Sequence, residues 1–79
     1  MYLNTIKKTL NEALFVDEEL IKEESKLNED LGIDSLASMQ LILELENEYG
    51  IHVENDEVMN IETVQDVIDL LKKKVGDEQ

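Results

Sequence analysis

The stretch Asp30-Leu31-Gly32-Ile33-Asp34-Ser35-Leu36 decides how the rest of the chain is read. Gly32 lets the backbone turn tightly. Asp34 is a favoured N-cap residue. Ser35 then falls in a first helical turn, and Leu36 opens a run with helical apolar spacing. The stretch therefore predicts a loop that becomes a helix at Asp34. That helix runs on to Tyr49, where Gly50 suits the left-handed position that ends it. Ile51 falls where such a cap sets an apolar residue against the last turn, with Leu45 as its candidate partner.

This second helix is apolar on two sides. At 100° per residue, Leu41, Ile42, Leu45 and Tyr49 share one face, an ordinary core stripe. Leu36, Met39 and Leu43 share a different face that begins one residue after Ser35. Either the helix is central and buried all round, or the second stripe is exposed. Two other full-length helices and a short one are hard to arrange around a fully buried helix. An exposed stripe edged by Glu44, Glu46 and Glu48 would have the form of a partner site, and the Met39 side chain adapts its shape.

Upstream, Leu3, Ile6, Leu10, Ala13 and Leu14 recur at the spacing of one buried helical stripe. That first helix fades near Phe15-Val16, before the acids Asp17-Glu18-Glu19. Residues 16–34 have no clear period. A loop this long in a small domain is commonly functional. Ile21, Leu27, Leu31 and Ile33 are read as pegs that pin it to the helices, with a short helical turn around Glu18 to Glu23. Downstream, Asn55 is read as the cap of a short helix near Asp56 to Met59. Thr63 caps a fourth helix from about Val64 to Lys74, with Asp66 three residues on in capping-box order. Val64, Val67, Ile68 and Leu71 form its inner stripe, and Lys72, Lys73 and Lys74 sit at the negative end of its dipole. No strand signal, repeat or low-complexity segment is present. The residues thus give an all-α class.

The 79 residues predict a single domain over 1–79, with a core over about 3–74 and a polar tail over 75–79. No stretch approaches the ~18 apolar residues of a membrane span, and the N-terminus lacks an apolar signal-peptide run. No membrane insertion is expected, and the cytoplasm is the expected compartment. With no cysteine, disulfide and thiolate chemistry are excluded. Twenty acids face seven basic residues, all lysine, for a net charge of −13. Nucleic acid is a poor partner for such a surface. Between Lys26 and Lys72 there is no lysine or arginine, while Glu29 to Asp69 supply twelve acids. This field either merely solubilises the chain or steers basic partners toward it.

Enzymatic machinery is sparse. The single histidine, His52, lies beside Ile51 and Val53 with no second histidine or cysteine to complete a zinc set. A hydrolase triad would need Ser35 and His52 to meet. A helix of about 15 residues holds them roughly 20 Å apart. Asn55-Asp56-Glu57 does not match a calcium loop. No metal site and no catalytic residue are expected. Ser35 by itself is either a plain first-turn serine or a hydroxyl that becomes esterified to a phosphate. Free N–H groups and the positive helix end favour an anion at that place.

Leu31-Gly32-Ile33-Asp34-Ser35-Leu36 resembles the Leu-Gly-x-Asp-Ser-Leu motif of acyl carrier proteins. Glu44-Leu45-Glu46-Asn47-Glu48-Tyr49-Gly50-Ile51 is similar to the acidic second half of that family's second helix. Ile61-Glu62-Thr63-Val64-Gln65-Asp66-Val67-Ile68-Asp69 is similar to the entry of its last helix. The resemblance covers about Ile6 to Lys73 without an obvious insertion. It implies a four-helix bundle with a short third helix and a long loop between helices one and two. It implies a freestanding, monomeric carrier, not an enzyme, whose Ser35 receives 4′-phosphopantetheine from coenzyme A through a separate magnesium-using phosphopantetheinyl transferase. The arm's thiol would carry acyl intermediates as thioesters to acyltransferases, ketosynthases and other acyl-processing enzymes. Basic patches on those enzymes would dock on Asp34, Leu36, Met39, Leu43, Glu46, Glu48, Asp56 and Glu57. An acyl chain would fold back among Ile42, Leu45, Val58 and Ile61.

Some positions depart from the family. Gln40 and Asn47 stand where fatty-acid carriers of bacteria usually show acids, Glu44 replaces a small residue and Gly50 a common acid. A fatty-acid pathway and a dedicated one, such as polyketide assembly, both remain open. Peptidyl carriers usually show His-Ser-Leu, against which Asp34 speaks. Aminoacyl carriers usually follow Asp-Ser with a different residue than Leu36. Beside the carrier reading stand an aminoacyl carrier and an acidic adaptor that binds a partner helix non-covalently through Leu36, Met39 and Leu43.

Overall fold

A computed structural model describes residues 2–76. The chain forms α1 (Tyr2–Leu14), a single 3-10 turn (Glu18–Leu20), α2 (Ser35–Tyr49), α3 (Asn55–Met59) and α4 (Val64–Lys74). There is no strand among the described residues, only one isolated antiparallel bridge between Lys26 and Thr63. Of the polar tail expected over 75–79, residues 77–79 lie outside the described residues.

The core forms where three apolar stripes meet. Ile6 and Leu10 of α1, Leu41, Ile42 and Leu45 of α2, and Val64, Val67, Ile68 and Leu71 of α4 are all buried. Each such side chain contributes about 1.5–3 kcal/mol on leaving water. Tyr2, one residue before the expected stripe of α1, is buried as well. Its ring meets that of half-buried Tyr49 edge-on, with centroids 5.7 Å apart. Its hydroxyl donates to the Gly76 carbonyl, which ties the two ends of the described chain together.

The long loop is pinned by its own apolar residues, as their isolation among charges suggested. Ile21, Leu27 and Ile33 are buried, and Leu31 packs against the core from its edge. The loop is also fastened by backbone pairing. The Leu27 N–H donates to the Glu62 carbonyl (2.9 Å), Val64 N–H to Ser25 (3.0 Å) and Gln65 N–H to Glu23 (2.8 Å). Ser25 is the one buried polar residue among those described. Its hydroxyl accepts the Lys22 N–H (2.9 Å) and donates to the Leu20 carbonyl (3.3 Å), so burying it leaves no polar atom unmatched.

The helix ends follow the capping residues, with one correction. Asp34 accepts the Ala37 N–H at 2.8 Å and starts α2. Gly50 ends it at φ 65°, and both the Gly50 and the Ile51 N–H groups reach the Glu46 carbonyl. Thr63 accepts the Asp66 N–H at 3.2 Å, while the Asp66 carboxylate accepts the Thr63 N–H at 3.0 Å. The short helix is capped by Glu54, not Asn55, which is already its first helical residue. Glu57 reaches back to accept the Glu54 N–H at 3.0 Å. A carboxylate three residues on closes the capping box as well from Glu54, so the reading from Asn55 was displaced by one residue.

Candidate functional site

Ser35 is the first residue of α2, and it is exposed. Asp34 takes up the Ala37 N–H through its side chain and the Ser38 N–H through its carbonyl (2.9 Å). The N–H groups of Ser35 and Leu36 have no acceptor among the described residues, and neither does the Ser35 hydroxyl engage a partner. Two free donors thus flank a free hydroxyl at the positive end of a 15-residue helix. Chemically this is an accessible hydroxyl beside backbone donors that can hold an anion. Gly32, at φ 68°, gives the preceding loop the left-handed turn that brings Asp34 into position.

Ser35 stands at the lining of an open groove of about 600 Å³. Asp34, Ser38 and Met39 share its wall. Asn55, Val58 and Met59 of α3, with Ile61 and Glu62 after it, form the opposite side. Lys26 to Glu29 and Ile33 of the long loop close the end. The volume lies within the ~300–1,000 Å³ of small-ligand sites. The lining mixes apolar residues such as Leu27, Ile33 and Val58 with polar ones such as Asn28, Ser38 and Asn55. Val58 and Ile61 line this groove. Ile42 and Leu45, expected beside them, do not: both are taken up in the core, with 4% and 1% of their surface exposed.

The second apolar stripe of α2 is on the outside. Leu36, Met39 and Leu43 are 78%, 48% and 58% exposed, which decides against a helix buried all round. Exposed Glu48 has no partner among the described residues, and exposed Asp56 accepts only the Glu57 N–H (3.1 Å). Glu46 and Glu57 are occupied inside the molecule. Glu46 accepts the Val53 N–H at 2.8 Å. Glu57 lies 2.9 Å from the Lys74 ammonium and 3.4 Å from that of Lys73. The Glu54 N–H and then these lysines hold its carboxyl down from 4.5 to about 2. His52 is exposed between Glu46 (3.5 Å) and Glu54 (3.2 Å), at the far end of α2 from Ser35. No group of three or more metal-ligating side chains occurs among the described residues. No helix among them is long and apolar enough to cross a membrane. Sequence reasoning missed Lys26 and Asn28 as groove residues, because a loop without period gives no sign of which side chains face α3, and it missed Met59 because a five-residue helix is too short to show a stripe.

The model of the phosphopantetheine attachment site family matches residues 4–71. The chain belongs to the acyl carrier protein family. It is 39% identical over 71 residues to the acyl carrier protein of Thermotoga maritima, covering 90% of this chain and 88% of that one. It is 40% identical over 74 residues to that of Thermosynechococcus vestitus, covering 94% and 91%. The crystal structure of an acyl carrier protein from Thermotoga maritima superposes with a TM-score of 0.84 at 30% identity, over 91% of this chain and 84% of that one. Its function is that of an acyl carrier rather than a catalyst, and its cofactor is 4′-phosphopantetheine. Acyl carriers of this family work with a phosphopantetheinyl transferase and with acyl-processing enzymes. The four helices with a short third one are the fold that the resemblance implied.

Proposed function

We propose that Ser35 bears the arm. The observation that carries this is the exposed, unengaged Ser35 hydroxyl at the start of α2, beside the free N–H groups of Ser35 and Leu36. When bound, the arm supplies a terminal thiol that holds an acyl group as a thioester, which a chain without cysteine cannot supply itself. The chain's own residues do the rest. Asp34 fixes the start of α2 and with it the direction of the Ser35 Oγ. The two N–H donors offset the charge of the phosphodiester. The groove, through Val58, Ile61 and Met39, shelters apolar parts of the arm or its cargo.

Partner enzymes dock on the exposed stripe of Leu36, Met39 and Leu43 and on the acids Asp34, Glu46, Glu48, Asp56 and Glu57, of which Glu46 and Glu57 are also engaged within the molecule. The apolar side chains contribute contact area and the acids steer basic partners. The surrounding field, −13 in all, favours a monomer by repulsion between copies, and we place it in the cytoplasm, where coenzyme A donates the arm. The 79 residues act as one domain. The cargo belongs to fatty-acid or polyketide-type synthesis.

The test is intact mass after incubation with coenzyme A, magnesium and a broad phosphopantetheinyl transferase. The wild type gains the mass of one arm. Ser35→Ala gains none while keeping its helical circular dichroism. A gain that survives Ser35→Ala assigns the arm to another residue.

A further inference from the structure

The charged residues that line the groove beside Ser35 are acidic apart from one. Asp34, Glu29 and Glu62 contribute carboxylates to its lining, and Lys26 contributes the single cation. A phosphodiester on Ser35 would add negative charge to this surface. We propose that Lys26 is a positioning residue for that phosphodiester, drawing the first part of the arm into the groove. The inference rests on Ser35 as the attachment point.

Lys26 is held where such a role needs it. Its N–H donates to the Asp30 carboxylate (2.8 Å), and its carbonyl accepts the N–H groups of Asp30 (2.9 Å) and Leu31 (3.2 Å). On its other side it bridges to Thr63. The backbone at Lys26 is therefore fixed from both directions. The next residue, Leu27, accepts the Ile33 N–H at 2.8 Å, which folds the loop back so that Lys26 approaches the strand of chain leading into α2. Ser35 follows Ile33 by only two residues. The loop thus delivers a lysine and the attachment serine to one groove by a short, hydrogen-bonded path.

The side chain makes one exposed ion pair. Its ammonium lies 3.4 Å from Glu29, with the two side chains 58% and 70% exposed. Exposed pairs of this kind are weak and easily exchanged. A phosphodiester flanked by the free N–H groups of α2 is a better partner, because its charge does not have to be ordered separately at the end of a flexible side chain. The other lysines belong to α1, the turn at Lys22 and the end of α4, and none lines this groove. Lys26 therefore offsets repulsion that no other lysine among the described residues is placed to offset.

The experiment compares apo and arm-loaded forms of the wild type, Lys26→Met and Lys26→Arg, each checked for complete loading by mass. Methionine keeps the apolar stem without the charge. Phosphorus-31 NMR of the loaded proteins reads the phosphodiester directly. In the wild type its resonance should differ from that of free phosphopantetheine methyl ester at low salt. In Lys26→Met it should move toward the free value, and Lys26→Arg should restore the wild-type position. The melting temperature of loaded Lys26→Met should fall, relative to its own apo form, by roughly 1–4 °C more than in the wild type. Identical phosphorus resonances and identical apo-to-loaded differences in wild type and Lys26→Met would overturn the role of Lys26. Absence of any loading in the wild type, or loading that survives Ser35→Ala, would instead remove the attachment reading beneath it.

Discussion

Glu46 and Val53 are joined by a 2.8 Å hydrogen bond from the Val53 N–H to the Glu46 Oε2, across the turn that follows α2. The side chain of Glu46 is only 18% exposed, and Val53 is buried. The bond therefore closes the turn and leads the chain into α3, one wall of the groove. Replacing Glu46 by alanine strands the Val53 N–H and should cost about 1–2 kcal/mol. Glu48→Ala, at an exposed side chain without a partner, should stay within ~0.5 kcal/mol of the wild type. Urea denaturation of the two variants measures the contrast. Equal effects would mean that Glu46 is a surface acid like its neighbour.

Glu57 makes the stability of α3 depend on acid. Its carboxyl titrates near 4.5 when the chain is unfolded and is held at about 2 in the fold. The folded state thus favours the ionised form. Its contribution is complete above pH 4.5 and is lost as the pH falls from 4.5 toward 2. Glu57→Gln should remove this part of the acid sensitivity, so its melting temperature falls less steeply over that window. Parallel curves for the two proteins would show that Glu57 is not tied to Lys73 and Lys74 in solution.

Phe15 sits at the end of α1 with φ 60° and 88% of its surface exposed. A side chain in the left-handed region costs about 1–2 kcal/mol, and this one recovers little by burial. Glycine adopts that conformation without penalty but orders a freer unfolded chain, at about 0.5–1 kcal/mol. The balance favours Phe15→Gly by up to roughly 1 kcal/mol, read as a higher denaturation midpoint. A loss of stability would show that Phe15 makes contacts worth more than its strain.

Salt acts on two opposed sets of charges. The ion pairs of Glu57 with Lys73 and Lys74 weaken as ionic strength rises, but they are only two local contacts. Repulsion among the acids of a chain with net charge −13 is spread over the whole surface and is screened as well. The second effect should win, so the melting temperature should rise between 10 mM and 500 mM sodium chloride. A flat or falling curve would count against repulsion as a cost of this fold.

Several features were legible because they depend on residues close in the chain. Capping by Asp34 and Thr63, the left-handed stop at Gly50 and the inner stripe of α4 each follow from spacing within a turn or two. The motif around Ser35, by which the chain resembles its family, is local in the same sense. The inner stripes of α1 and α2 could likewise be counted from a period of 3.6. The loop over 16–34 was legible only in outline. Its pegs could be named, but its pairing with residues 62–65 joins segments far apart in sequence, and no period records that.

The sequence by itself determined four helices, their ends except the start of α3, and a serine at the start of one of them, because caps and stripes act over a few residues. Only the tertiary structure decided that Leu36, Met39 and Leu43 face outward, that Ile42 and Leu45 stay out of the groove lined by Val58 and Ile61, and that Lys26 shares that groove with Ser35. Each of these depends on which surfaces meet once the helices pack, and a helix that is apolar on two sides does not specify which of them the others will cover.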